Sequence, residues 1–255
     1  RAASVDAPGS RPPGISASAA AGAAPAADGS GEWAVKRAAV VGAFRHAWQG
    51  YEDYSWGRDT LKPITKTGED WFGLGLTLID GLDTMWLMGM TEEFARARAW
   101  VATRLEPRLT KKPVNLFETT IRVLGGLLSA HALSGDPIFL AKAVELGERL
   151  LPAFATPSGI PFSDVDLATG RASSPAGRSS LAEVTTVQME FKYLAFLTNR
   201  SDFYDVAHAV SEKVALLPKE DGLAPMFLDH RRCVVVRRRL RRRVCARPSI
   251  AALGR

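Results

Sequence analysis

The sequence predicts an all-α body in which inner and outer helices pack in layers. Three observations carry that expectation. Apolar residues recur at spacings of three and four in about seven successive stretches. Those stretches differ in kind: residues 71–90 are apolar nearly all round, as a buried helix is, whereas residues 91–105 are one-sided, as a covering helix is. No stretch reads as a convincing strand, and no sequence period marks a solenoid.

Composition narrows the function. A chain of 255 residues, 46% of them hydrophobic, suffices for one large domain or two small ones with a real core. The formal charge of +6 belongs to the C-terminal end. Residues 231–255 hold ten arginines and no acid or lysine, so taking ten from +6 leaves −4 for residues 1–230. Any nucleic-acid reading therefore rests on that tail alone. Its run Arg237-Arg238-Arg239-Leu240-Arg241-Arg242-Arg243 can hold phosphates through charge, but it lacks interleaved aromatics for stacking bases. No specific nucleic-acid partner is expected. Both cysteines, Cys233 and Cys245, lie in the tail, so the body gives no sign of a redox compartment. No run of about 18 apolar residues exists to span a membrane.

Taken in order, residues 1–31 are mostly Ala, Gly, Pro and Ser. They bury too little to offset their ordering entropy, which predicts a flexible stem. The body, residues 32–229, opens with a helix from Trp33 to about Tyr54, where Val40, Val41, Phe44, Ala47, Trp48 and Tyr51 keep a helical period. A loop broken by Gly57, Pro63 and Gly68 follows. Its Arg58, Asp59, Glu69 and Asp70 read as surface charges. Residues 71–90 read as one buried helix with Leu76, Ile79, Leu82, Met85 and Trp86 on one face. Asp80, Asp83 and Thr84 stand within it, and buried carboxylates need partners, so they either pair in the fold or line a polar cavity. Thr91 reads as the N-cap of the next helix, with Glu92 and Glu93 behind it.

The central stretch is Val114 to Leu128. Val114, Phe117, Ile121, Leu124 and Leu128 make one apolar stripe, and Asn115 after Pro113 offers a cap. Gly125-Gly126 in mid-helix costs about 1 kcal/mol per glycine against alanine, which implies that something packs close to this backbone. Glu118 and Arg122 lie four apart and share a face. They are either an internal ion pair or one edge of a polar site. A further helix starts with Asp136 as cap and Pro137 in its first turn. Residues 152–180 are loop-like, with Ser163, Asp164 and Asp166 as candidate polar contacts in a short hairpin or irregular loop. Leu181 to Asn199 reads as one helix with Glu183 and Glu190 on the face of Val187 and Leu194. The last helix runs from Asp202 to about Leu216, and an extended segment follows. At about residue 230 the composition shifts abruptly. Residues 230–255 read as a basic tail of the kind that translation in another frame, or through an intron, produces.

Four segments in this order, WFGLGLTLIDGLDTMWLMG, VNLFETTIRVLGGLLSAHALSGD, PFSDV and AEVTTVQMEF, resemble the class I α-1,2-mannosidases of glycoside hydrolase family 47, most closely its endoplasmic-reticulum members. The resemblance covers about residues 33–229. It implies an (αα)7 barrel, of which this chain carries about the N-terminal half. It implies inverting hydrolysis of terminal α-1,2-mannose from high-mannose N-glycans on glycoproteins, with a Ca²⁺ at the base of the barrel. It implies the lumen of the endoplasmic reticulum or Golgi, with type II membrane attachment only through an anchor upstream of this sequence. The family's catalytic acid falls on Glu118. Its sugar contacts fall on Arg122, Ser163, Asp164 and Glu183. The segment Asp80–Thr84 matches a signature whose role reads as mainly structural. Inversion needs an acid and a base carboxyl roughly 6.5–9.5 Å apart, with room for water between them. The base candidates and the calcium-ligating threonine fall in the family's other half, and no position here matches them. The expectation is an incomplete site without turnover as written, with glycan binding without cleavage as the alternative. Apolar faces meant for further helices are expected to promote aggregation.

Overall fold

The computed structural model describes residues 31–230. The predicted stem and basic tail lie outside the described residues, apart from Gly31 and His230, and so do both cysteines.

The body is predominantly helical, as predicted. Helix α1 (Glu32–Ser55) is exposed along its first half and docks through Trp48 and Tyr51. Trp48 stacks on Phe44 and meets Trp56 edge-on, so an aromatic cluster fastens the end of the helix. Strands β1 (Thr60–Lys62) and β2 (Thr67–Glu69) form an antiparallel hairpin with Leu61 opposite Gly68.

The next segment departs from the prediction. Residues 71–90 are not one helix. A loop from Trp71 leads into α2 (Leu76–Asp80), and a break at Gly81 separates it from α3 (Leu82–Leu87). Asp59 explains the loop. Expected at the surface, it is 1% exposed. Its Oδ2 accepts the backbone N–H groups of Phe72 and Gly73, both at 2.6 Å. Its Oδ1 accepts those of Leu74, Gly75 and Leu76 at 2.9, 2.8 and 3.1 Å. Donors that a longer helix would satisfy internally are turned onto one carboxylate instead. Gly75, at φ 70°, permits this turn, and a Cβ there would lie 2.6 Å from the Trp100 ring. Trp86, predicted on the buried face, is 40% exposed, although Leu82 and Met85 of the same short helix are buried; its ring packs edge-on with Phe94.

Helix α4 (Thr91–Arg104) buries Phe94, Ala97 and Val101 and half-buries Trp100, so it is one-sided, as expected of residues 91–105. Its N-cap is Met90, not Thr91, and no side chain caps it; Glu92 and Glu93 in the first turn supply the favourable charge. The central stretch begins with strand β3 (Val114–Asn115) and a single turn, α5 (Leu116–Glu118). A π-helical segment (Thr119–Leu124) and α6 (Gly125–Ser134) continue it. Helix α7 (Pro137–Leu150) is capped by Asp136, whose Oδ1 accepts the Ile138 N–H at 3.0 Å.

Strands β4 (Asp164–Val165) and β5 (Ala172–Ser173) are the predicted hairpin, and with β3 they make a three-stranded antiparallel sheet in the order β3-β4-β5. Strand β6 (Ser179–Ser180) leads into α8 (Leu181–Thr186) and α9 (Gln188–Thr198). The single helix predicted here breaks at buried Val187, and the Gln188 amide donates to the Ala207 carbonyl at 2.6 Å. That carbonyl belongs to α10 (Ser201–Ala215). Strand β7 (Phe227–Leu228), the predicted extended segment, pairs with β6. Helix α6 packs on α3 and α7, and α9 packs on α10 and α7. Ile79, Leu82, Leu124, Leu127, Phe139, Leu146, Phe191, Leu194 and Phe203 fill the space between them, each fully buried.

Candidate active site

The site is built from the start of the central stretch. Asn115 Oδ1 accepts the Glu118 N–H at 2.9 Å, as the predicted cap does. The Leu116 N–H donates to the Ser163 carbonyl at 2.8 Å, and Asn115 stands opposite Asp164 in the β3–β4 ladder. The first turn of the helix is therefore tied to the hairpin that carries Ser163 and Asp164. The chain then widens into the π-segment, in which the Gly125 N–H reaches the Thr120 carbonyl five residues back. Thr119 and Thr120, its first two residues, are fully buried.

Arg122 Nε–H donates to Glu118 Oε2 at 2.8 Å, and Arg122 Nη1 lies 3.7 Å from Asp80 Oδ2. Both readings of the Glu118–Arg122 pair hold at once: it is an ion pair, and it is open to solvent, with side chains 24% and 41% exposed. Asp80 joins it from α2. Burial raises the Asp80 pKa above the usual carboxylate value. Arg122 opposes that rise, and the charges of Asp83 and Glu118 add to it. Asp83 Oδ2 in turn accepts from Ser129 Oγ on α6 at 2.9 Å. Asp80 thus pairs within the fold, one of the two outcomes that the sequence leaves open for it. Its signal was an acid inside an apolar helix.

The central glycines explain the approach. A Cβ on Gly126 would lie 2.8 Å from Ile79 Cγ2 and 3.0 Å from the Ile79 carbonyl oxygen. Only a glycine lets α6 come this close to α2, and that contact sets Asp80 beside Arg122.

Ser163 Oγ donates to Asp164 Oδ2 at 3.0 Å, and the Ser163 N–H donates to Ser174 Oγ at 2.9 Å. Ser174 and Ser179 hydroxyls lie 3.2 Å apart, and Ser179 Oγ donates to the Pro161 carbonyl at 2.7 Å. This serine chain pins the hairpin to β6. Asp166 does not reach the site; it folds its own turn, with the Thr169 hydroxyl bond first in lowering its pKa. Glu183 lies in the first turn of α8, and α8 packs on α5. It makes no ion pair with Arg122. Glu190 lies half-buried against Gly125, and burial raises its pKa. Its Oε2 is buried with no hydrogen-bond partner among the described residues.

Among the described residues no group of three or more His, Cys, Asp or Glu side chains is placed to hold a metal ion. Arg122 lies between Asp80 and Glu118 and pairs with both. These residues do not fit a calcium ion.

The family model described as Glycosyl hydrolase family 47 matches residues 43–244. It runs past the boundary that composition set near residue 229. The endoplasmic reticulum mannosyl-oligosaccharide 1,2-alpha-mannosidase of Rattus norvegicus is 53% identical over 193 residues, which cover 74% of this chain and 29% of that protein. The Homo sapiens protein of the same name is 51% identical, with 74% and 28% covered. The chain thus spans under a third of the length of these relatives. Among solved structures, an alpha-1,2-mannosidase from Trichoderma reesei superposes with a TM-score of 0.72 at 29% identity, over 77% of this chain and 44% of that one.

Proposed function

The chain belongs to glycosyl hydrolase family 47, and on that premise we propose that it supplies the acid-bearing wall of a site that hydrolyses terminal α-1,2-linked mannose. The observation that carries the proposal is the Asp80–Arg122–Glu118 cluster, tied through Leu116 to the hairpin of Ser163 and Asp164. In this reading Glu118 is the general acid, acting directly or through a water. Arg122, Ser163, Asp164 and Glu183 hold sugar hydroxyls. A hydroxyl that takes the Arg122 Nε–H frees Glu118 Oε2 to take up from water the proton that it then delivers, so binding and activation share one arginine.

Asp80 and Glu118 flank one guanidinium, which fills the space between them, so they do not face each other across a sugar. Inversion needs a base on the opposite face of the sugar. That geometry favours a second reading for these 255 residues alone, namely glycan binding without cleavage. Calcium, which the resemblance implies, belongs to a threonine with no matching position here. High-mannose N-glycans on glycoproteins are the proposed substrates, in the compartment that the relatives' names give, the endoplasmic reticulum. The Golgi lumen and a type II anchor are part of the same proposal. Among the described residues no helix is long and apolar enough to cross a membrane.

The test is a chimera in which residues 43–230 replace the matched segment of the rat relative. Mannose release from an α-1,2-linked mannose oligosaccharide is expected. Glu118→Gln in the chimera should lower it by about 10²-fold or more, as loss of a general acid does. A Glu118→Gln chimera as active as its parent overturns the assignment. Binding of α-1,2-mannobiose by the 255-residue chain, without release of mannose, would support the second reading.

A further inference from the structure

Asn199-Arg200-Ser201 is an Asn-x-Ser tripeptide with x other than proline, the acceptor pattern for N-linked glycans. The chain's other asparagine, Asn115, is followed by Leu116-Phe117 and does not fit the pattern. The structure places the tripeptide at the turn between α9 and α10. Asn199 closes α9 in the left-handed conformation, at φ 54° and ψ 35°, and is exposed. Its amide makes no side-chain hydrogen bond among the described residues. Ser201, the first residue of α10, is exposed as well.

Arg200 between them is held against its neighbours at the surface. Its Nε and Nη2 bond Asp202 at 3.1 and 2.6 Å, its Nη1 bonds Glu148, and its guanidinium lies 4.3 Å from the Phe203 ring centre. The middle residue anchors the turn, while acceptor and hydroxyl face solvent. Asn199 is exposed, as an acceptor of a bulky group must be.

We propose that Asn199 is an N-glycosylation site, modified by transfer from an oligosaccharide joined through its C1 to a lipid pyrophosphate. A bond forms between Asn199 Nδ2 and C1. The C1–oxygen bond to the pyrophosphate breaks, and the proton lost from Nδ2 leaves with the lipid pyrophosphate. The inference rests on the endoplasmic-reticulum compartment proposed above, not on the catalytic roles. The eleven residues of α9 alone put about 16 Å between its start and Asn199. The glycan therefore stands away from the wall that α5 and α8 form, and leaves it open.

The whole 255-residue chain, fused to a cleavable secretory signal and a reporter acceptor sequence, is expressed in a eukaryotic host. Only molecules that carry the reporter glycan are scored, so every scored molecule has met the transferase. The expected result is a second glycan, removable by an amidase that converts the linked asparagine to aspartate, with the new aspartate found at position 199 by mass spectrometry. Asn199→Gly, which keeps the left-handed turn, and Ser201→Ala should each remove it. Ser201→Thr should raise occupancy. Unmodified Asn199 in scored wild-type molecules overturns the proposal. So does a second glycan that persists in the glycine variant. Neither result bears on the Glu118 chimera, which fails or succeeds independently.

Discussion

Replacing Asp59 by asparagine asks whether one carboxylate holds the loop that leads into α2. The variant keeps the size of the side chain and an oxygen able to accept from Leu74, Gly75 and Leu76. It puts an NH₂ group where Oδ2 now accepts the Phe72 and Gly73 N–H groups at 2.6 Å. Donor would face donor twice. A hydrogen bond to a charged group contributes about 1.5–3 kcal/mol, so two lost bonds amount to about 3–6 kcal/mol. That is comparable to the whole stability of a small domain, about 5–15 kcal/mol. The loss should be local first, because the five donors belong to one short segment. Hydrogen exchange read by mass spectrometry on the peptide spanning residues 71–77 should accelerate by about two to four decades, at about 1.4 kcal/mol per decade. Peptides from α7 and α10 should change far less. Exchange in 71–77 within tenfold of wild type would refute the reasoning, and would mean that packing of Phe72, Leu74 and Leu76 holds the loop without the charge.

Gly126→Ala gains about 1 kcal/mol of helix propensity but forces a methyl to within 2.8 Å of Ile79 Cγ2. A net loss of about 1–2 kcal/mol is expected in a thermal melt, and a gain would sink the close-approach account. Removing the Glu118 charge by Glu118→Gln should lower the Asp80 pKa, and Arg122→Gln should raise it. Carboxyl NMR titration reads both, and equal shifts of one sign would contradict the cluster. Glu190 has a folded pKa raised by burial, so the folded state binds its proton more tightly than the unfolded chain does. It therefore costs stability at neutral pH and stops doing so below the ordinary carboxylate value of about 4.3. Glu190→Gln should be the more stable form at pH 7 and show no advantage in acid; chemical denaturation at both pH values decides. Met189 and Phe196 on α9 are 78% and 47% exposed, so the double change to lysine should reduce self-association of the chain in sedimentation, and unchanged association would place the sticky face elsewhere.

Much of the helical layer was legible because its period is local. The caps at Asn115 and Asp136, the face of α4 and the extent of α10 all follow from residues within a turn or two of each other. The breaks were not legible, because their causes lie elsewhere in the chain. The loop before α2 depends on Asp59, twelve or more residues upstream, and a lone acid in a charged loop carries no mark of burial. At the turn at Val187 the Gln188 side chain bonds a carbonyl of α10, a partner nineteen residues downstream. In each case a long-range partner outweighs a weak local preference for continuing the helix.

The same logic governs Glu118 and Arg122. Their spacing of four predicts a shared face in a regular α-helix, yet the backbone between them is π-helical. The pair still meets, at 2.8 Å. A wider turn costs hydrogen-bond quality and leaves the Thr119 and Thr120 hydroxyls buried without a partner among the described residues. Such an expense persists only where the surroundings impose it. Here two constraints meet: the Leu116 bond to Ser163 fixes the start of the helix, and the Gly126 contact with Ile79 fixes its continuation against α2. The extra residue in the turn reconciles these two fixed points, and in doing so aims Arg122 at both Glu118 and Asp80. The irregularity that periodicity missed is thus what assembles the cluster.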